Sequence, residues 1–321
     1  MKTKKSEKNS ESNFVKIIKE ICNDESIQLL SFSYDWIFRL EKDGLIRHIL
    51  GYQFDLNTAA VQSICKDKCA TSDILLHSSI PCVEHLFFMS PSSVKYLGED
   101  GSWKKIIQLF EKHQKIVCKP NEGTGGNNVF VATNQTELEY AVGKIFNASR
   151  SMAICPFYNI QSEYRVIVLD NQVKLIFSKE IPHVVGDGNS TLAELALKFI
   201  VENKLDSLSL DFKEQNIQTI FPQGEVFNFN WKHNLGQGAS PVIISDSIIT
   251  DELTKLAVAA SNALNVKFAS IDIVSTDSGY RILEINSGVM MEHFSSLDDK
   301  TYEIAKSIYK EAINMMFKQN L

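Results

Sequence analysis

FASIDIVSTDSGYRILEINSG, residues 268–288, decides how this chain is read. Side chains alternate faces along a strand, so Ile271, Ile273, Leu283 and Ile285 fall on one face and Asp272, Glu284 and Asn286 on the other. Asp277-Ser278-Gly279 lies midway between Asp272 and Glu284. A hairpin closed there sets the two carboxylates opposite each other, with Asn286 further along the same face. Directly opposed carboxylates repel unless something binds them. Two carboxylates and an amide oxygen form a hard donor set suited to Mg2+, which also takes phosphate oxygens. A solvated hairpin face is the competing reading, and the hairpin alone does not decide between them.

Upstream, Lys115-Ile116-Val117-Cys118-Lys119-Pro120 reads as a strand with Lys119 opposite in face to Ile116 and Cys118. The loop Asn121-Glu122-Gly123-Thr124-Gly125-Gly126 comes immediately after it. Glycines let backbone N–H groups approach an anion closely, and the lysine adds a point charge. The spacing is neither that of a Walker loop nor that of a dinucleotide fingerprint. By itself, a glycine-rich loop beside a surface lysine is commonplace. Ser162-Glu163-Tyr164-Arg165-Val166 begins another strand, with Glu163 and Arg165 on one face. That face suits a ribose contact and a phosphate or substrate contact, and equally an exposed ion pair.

Composition narrows the class. The chain has 321 residues, 33 basic and 39 acidic, for a net charge of -6, whereas nucleic-acid binders usually carry a basic surplus. No nucleic-acid partner is expected. Its length exceeds what a single core of about 250–300 residues fills, so two or three subdomains around one site are expected. The six cysteines, at 22, 65, 69, 82, 118 and 155, have no metal-ligand spacing and read as reduced, buried thiols. The polar start lacks the apolar core of a signal sequence, and no apolar run approaches the ~20 residues that span a bilayer. The expectation is a cytoplasmic protein with no membrane partner.

Helical spacing is expected over 14–22, from Asn57 to 66, over 70–80, 103–113, 135–146, 192–202, 251–264 and 302–317. Strands are expected at 29–40 and 45–50, joined by Glu41-Lys42-Asp43-Gly44, and at 115–119, 129–132, 152–157, 164–169, 173–179 and across 268–286. The division expected is a flexible tail (1–12), a small N-terminal α/β domain (13–66), a central subdomain (67–150) and a C-terminal subdomain with the metal site (151–321). Residues 203–233 are polar and irregular, a candidate substrate-facing excursion.

Taken in order, these pieces resemble the ATP-grasp ligases. The likeness runs from Lys66 to Phe294. It is carried by Lys66-Asp67-Lys68-x-Ala70-Thr71, Ile80-Pro81, Lys119-Pro120-x-x-Gly123-x-x-Gly126, Glu163-Tyr164-Arg165-Val166 and Gly186-Asp187-Gly188-x-Ser190-Thr191. Asn234-Leu235-x-x-Gly238, Asp272 and Glu284-Ile285-Asn286-Ser287 complete it. The GDG-x-ST turn and the run from Pro222 to Leu235 are most similar to the amide-ligase part of cyanophycin synthetase and the ATP-grasp part of bifunctional glutathione synthetases. RimK-type ligases stand further off.

The resemblance implies an α+β ATP-grasp fold, two α+β subdomains clamping ATP behind a small N-terminal domain. It implies an ADP-forming ligase that activates a carboxylate as an acyl phosphate and joins it to an amine. Lys68 and Lys119 would hold the phosphates under the loop of Gly123, Gly125 and Gly126. The backbone of Ile154 to Phe157 would line the adenine, and Glu163 would bind the ribose. Asp272, Glu284 and Asn286 would bind Mg2+, with Mn2+ as a substitute, and Arg165, Lys179 and Asn234 would face the transferred phosphoryl and acyl phosphate. The substrates implied are small-molecule or peptide carboxylates and amines; a homo-oligomer stays open. Two alternatives stay open as well: a ligase that modifies a ribosomal precursor peptide, and a catalytically silent ATP-binding module. Where relatives place an acid before the hinge, Cys155-Pro156-Phe157 stands here, and Asn230-Trp231-Lys232 replaces the arginines that precede Asn-Leu in cyanophycin synthetase.

Overall fold

The computed structural model describes residues 11–96, 98–123, 125–203, 205, 216–229 and 233–318. Tail residues 1–10, much of the 203–233 excursion (206–215 among it) and Asn230-Trp231-Lys232 lie outside the described residues. The described residues form two compact units, one of them holding residues up to Thr58 together with those from Gly288, the other Ala59–Ser287.

The first unit opens with helix α1 (Asn13–Asp24), whose Phe14, Ile17, Ile18 and Ile21 make one buried stripe. An antiparallel sheet comes next in the order β1 (Gln28–Phe32), β2 (Ile37–Lys42), β3 (Leu45–Leu50), β4 (Gln53–Phe54). The run expected as a single strand over 29–40 is broken: Ser33, Tyr34 and Asp35 have φ of 52°, 56° and 63°, a left-handed turn that splits it into β1 and β2. The next turn is a two-residue one, Asp43-Gly44, both at positive φ, which matches strand twist.

The second unit starts with α2 (Ala59–Lys66) and α3 (Lys68–His77), the latter capped by Asp67. Its first sheet has the antiparallel order β5 (Leu86–Met89), β8 (Ser151–Pro156), β6 (Ile116–Pro120), β7 (Phe130–Ala132). Helices α4 (Trp103–His113) and α5 (Gln135–Ala148) pack on it, burying Ile106, Leu109, Leu138, Ala141 and Ile145 against Ile116, Cys118, Met152 and Ile154. Each large apolar side chain among them contributes about 1.5–3 kcal/mol.

The second sheet has the order β13-β10-β9-β14-β15, with β9 spanning Ile160–Leu169, β10 Gln172–Glu180, β13 Ser240–Ile243, β14 Phe268–Thr276 and β15 Gly279–Asn286. Between β10 and β13 come β11 (His183–Val185), α6 (Leu192–Glu202) and β12 (Val226–Asn228), where Thr191 and Glu194 form a capping box. Helix α7 (Ser247–Leu264), α2 and α3 cover one face, and Leu253, Ala257 and Ala260 meet Val166, Ile271, Ile273 and Ile285 there. The opposite face of this sheet holds the charged residues.

Helices α8 (Glu292–Ser295) and α9 (Asp299–Lys318) return to the first unit. The expected division thus differs from the compact units: residues from Gly288 onward group with the N-terminal sheet, while α2 groups with α3 and the sheets of the second unit. The cause is specific. Glu292 accepts from the backbone N of Asn13 (2.7 Å) and Phe14 (3.0 Å), an anion on the N-terminus of α1. Tyr309 stacks on Phe54 at 5.6 Å, and buried Arg47 donates to the Met316 carbonyl.

Candidate functional site

The register of the second sheet assembles the site. Asp272 pairs with Glu284 across β14–β15, as the hairpin reading expects, and with Arg165 across β9–β14. Asn286 lies opposite Ser270, further along β15. One expectation is corrected. A β-bulge between Asp272 and Ile273 pairs Ile273 with Ile282, so Ile282 rather than Leu283 joins Ile271 in the core. Leu283 packs instead with Val274, Val83 and Cys155.

The carboxylates are not left facing each other bare. Arg165 grips Asp272 through two parallel bonds, Nε to Oδ1 and Nη2 to Oδ2, both 2.8 Å. Lys179 Nζ lies 2.8 Å from Asp272 Oδ2 and also binds Glu163 Oε1. His233 Nδ1 lies 2.6 Å from the Lys179 carbonyl, against the strand that carries this lysine. Asp272, Glu163 and Lys179 are all buried. Burial alone would raise the Asp272 carboxyl, but Arg165 and Lys179 outweigh it and hold it well below the usual carboxylate range. Burial raises Glu163 despite Lys179, with the Asp272 charge adding to the shift. The ribose contact expected of Glu163 therefore starts from a carboxylate already paired to Lys179.

Glu284 is half-buried and accepts from Asn286 Nδ2 at 3.1 Å, which leaves the Asn286 amide oxygen as that side chain's acceptor. With Asp272 these groups make an all-oxygen donor set that fits a hard divalent cation by type. Three hydrogen bonds already occupy the Asp272 oxygens, so the fit requires one of its cationic partners to give way.

Lys119 sits at the end of β6, 7% exposed, with no ion-pair partner among the described residues. Lys68, at the start of α3, donates to the carbonyls of Gly123 (2.9 Å) and Asn121 (3.4 Å). Burial lowers its ammonium, opposed by Glu284 and reinforced by Lys119. Gly125 and Gly126 take φ of 74° and 69°, which favours glycine, and Asn234 Nδ2 donates to the Gly125 carbonyl at 2.6 Å. Thus Lys68, Asn234 and the glycine loop are brought together.

The strand expected to line the adenine is an inner strand of the first sheet of the second unit. Ile154 is fully buried, with β5 on one side and β6 on the other, and Phe157 N donates to the Lys115 carbonyl at 3.1 Å. Ladder pairing engages residues 152–154 on both sides, whereas Cys155 and Pro156 pair with β6 alone. Beyond Phe157 the chain leaves the ladder at Tyr158 and Asn159.

A small cleft is lined by Lys68, Ser72, His85, Gly123, Glu284 and Asn286, among others. His85 carries no motif in the sequence and no sequence signal marks it. Its ring is buried, Nε2 has no partner among the described residues, and its backbone N donates to Ser72 Oγ at 3.2 Å. Burial, then Lys119 and Lys68, push the imidazole well below its ordinary value, so it is neutral. Asn121 is a second such residue: Oδ1 takes the Cys69 N–H, and Nδ2 is unpartnered among the described residues.

Residues 213–311 match the family model described as the RimK-like ATP-grasp domain. The chain is 27% identical over 247 residues to cyanophycin synthetase of Trichormus variabilis, covering 70% of this chain and 26% of that one. It is 21% identical over 277 residues to the glutathione biosynthesis bifunctional protein GshAB of Streptococcus mutans, covering 80% and 34%. The chain thus spans only about a quarter to a third of the length of these curated relatives. Among solved structures, the bifunctional glutathione synthetase of Pasteurella multocida superposes with a TM-score of 0.57 at 15% identity, over 92% of this chain and 44% of that one. Among the described residues no helix is long and apolar enough to cross a membrane. Part of the chain, residues 213–311, is thus similar to the RimK-like ATP-grasp domain, and the chain has the fold of the ATP-grasp ligases.

Proposed function

We propose that this chain is an ATP-dependent, cytoplasmic ligase that joins a carboxylate, on a small molecule or peptide, to an amine through an acyl phosphate. The observation that carries this is the row Arg165–Asp272–Glu284, paired across three strands, with Lys179 against Asp272 and Asn286 beside Glu284. Cations and oxygen donors gathered on one strand face suit the terminal phosphates of a nucleotide, where charge develops during phosphoryl transfer.

In the reaction a substrate carboxylate oxygen attacks the γ-phosphorus and ADP leaves. The amine then attacks the acyl carbon, and phosphate departs with that oxygen while the amine loses a proton. Asp272, Glu284 and the Asn286 amide oxygen would hold Mg2+, which when bound supplies charge neutralisation at the phosphates. Lys68 and Lys119 bind the phosphate chain, and the Gly123–Gly126 segment covers it. Arg165, Lys179 and Asn234 orient the transferred group. No side chain forms a covalent intermediate; catalysis is positioning and charge complementarity.

A carboxylate substrate labelled with 18O tests the chemistry. Label should appear in inorganic phosphate, with ADP as the nucleotide product. Label in AMP, or product formed with unlabelled phosphate, would rule out the acyl phosphate.

A further inference from the structure

The four groups Arg165, Lys179, Asp272 and Glu163 carry two positive and two negative charges, and every one of them is engaged within the set. Lys179 is the link. Its ammonium touches both Glu163 and Asp272, with only 4% of the side chain exposed. Arg165 uses a fork of two bonds on Asp272 alone, a rigid arrangement, whereas an ammonium on a four-carbon stem is a point charge that can swing.

We propose that Lys179 is an internal counter-ion of the site, bridging Glu163 and Asp272 so that a divalent cation gains Asp272 only by displacing it. This rests on the ligase reading, in which Asp272 is a metal ligand. Three considerations support it. Buried carboxylates need a cation, and in the structure Lys179 is the one that serves both acids. Arg165 holds Asp272 by two bonds and Lys179 by one, so losing the lysine contact leaves Asp272 the stronger of its two pairings. The displaced ammonium has a use: it moves toward the phosphates that arrive with the metal. Metal and nucleotide binding are then coupled, because each alone leaves a charge unpaired.

The consequence is weak metal binding without nucleotide, and a variant that relieves it. Replacing the Lys179–Glu163 pair together, as Lys179→Met/Glu163→Gln, removes the counter-ion without stranding a buried charge. Calorimetric titration with Mg2+, and with Mn2+ followed by electron paramagnetic resonance, is done at pH 8 with no nucleotide. The expected result is a metal affinity about ten- to a hundredfold above wild type, the scale of one charge-assisted contact, lost again when Asp272→Asn is added. Affinity no higher than wild type would overturn the proposal. Should the double variant not fold, Lys179→Gln/Glu163→Gln, which keeps a polar pair and strands no charge, reads the same quantity. A separate titration of wild type with a non-hydrolysable ATP analogue keeps the two readings apart. Analogue binding that depends on Mg2+ and on Asp272, with no gain in the double variant, defeats the counter-ion alone; no such dependence defeats the metal site itself.

Discussion

The five-stranded sheet holds Arg165, Lys179, Asp272 and Glu163 as a closed set of ion pairs, whereas the β5-β8-β6-β7 sheet buries Lys119 to 7% exposure with no ion-pair partner among the described residues. Both sites are buried, and both are read as phosphate-facing. The first satisfies its charges from within the protein. The second leaves one for a ligand. Removing a charge should therefore cost folding stability in the first and ligand affinity in the second.

The largest effect is expected at Asp272. The opposed carboxylates of the hairpin suggest that Asp272→Asn relieves repulsion, but the arginine fork and Lys179 reverse that argument. The substitution takes the carboxylate from the Arg165 fork and leaves Lys179 with Glu163 alone, so it should destabilise the fold by about 3–5 kcal/mol, besides abolishing Mg2+-dependent ADP formation. Urea unfolding measures it. A stability within error of wild type would mean that the ion pairs contribute nothing net.

Lys119→Met should do the opposite. It keeps the stem's packing and removes an unpaired buried charge, so nucleotide-free stability should hold or rise. Affinity for an ATP analogue should fall about ten- to a hundredfold, from the loss of a contact worth roughly 1.5–3 kcal/mol. Calorimetry and thermal melting on the same sample separate the two. A less stable variant with unchanged affinity would erase the contrast between the sheets.

A smaller change is expected where the two regions meet at the glycine loop. Asn234 Nδ2 holds the Gly125 carbonyl, one neutral hydrogen bond worth about 1 kcal/mol. Asn234→Ala should speed amide exchange at Gly123, Gly125 and Gly126 severalfold while exchange in β14 stays unchanged. Equal exchange in the loop would show that other contacts hold it.

How far the sequence predicts this arrangement depends on the range of the contact. The Asp272–Glu284 pairing is local, set by a turn placed midway between them, and the structure has that register. The bulge that displaces Leu283 is not legible, because apolar residues at 282, 283 and 285 satisfy either phase of the alternation. Arg165 and Glu163 share a face by strand period, but that Arg165 falls beside Asp272 depends on β9 lying next to β14, a choice of sheet order made by packing. The same holds for the return of α9 to the N-terminal sheet, which rests on Tyr309, Arg47 and Glu292 meeting partners more than two hundred residues away. His85 gave no signal at all, since its setting is made by burial and by lysines from two other elements.

That histidine sharpens the contrast from the side of the unpaired charge. Among the described residues no carboxylate bridges Lys119 and Lys68 as Asp272 bridges Arg165 and Lys179, and their field reaches His85. Burial and these two cations hold its folded value well below 6.5, the value expected of the unfolded chain. Below pH 6.5 the unfolded chain then binds a proton that the folded chain refuses. Stability from this group is complete above that pH and is lost as pH falls toward the folded value, by at most about 1.4 kcal/mol per pH unit. His85→Gln removes the titration and keeps a polar side chain. Thermal melting of both proteins from about pH 7.5 to 5.5, on a scale set by the histidine range, should show wild type losing stability faster than the variant below about 6.5. Parallel curves would mean that His85 takes up its proton alike in both states, and that the lysines do not act on it.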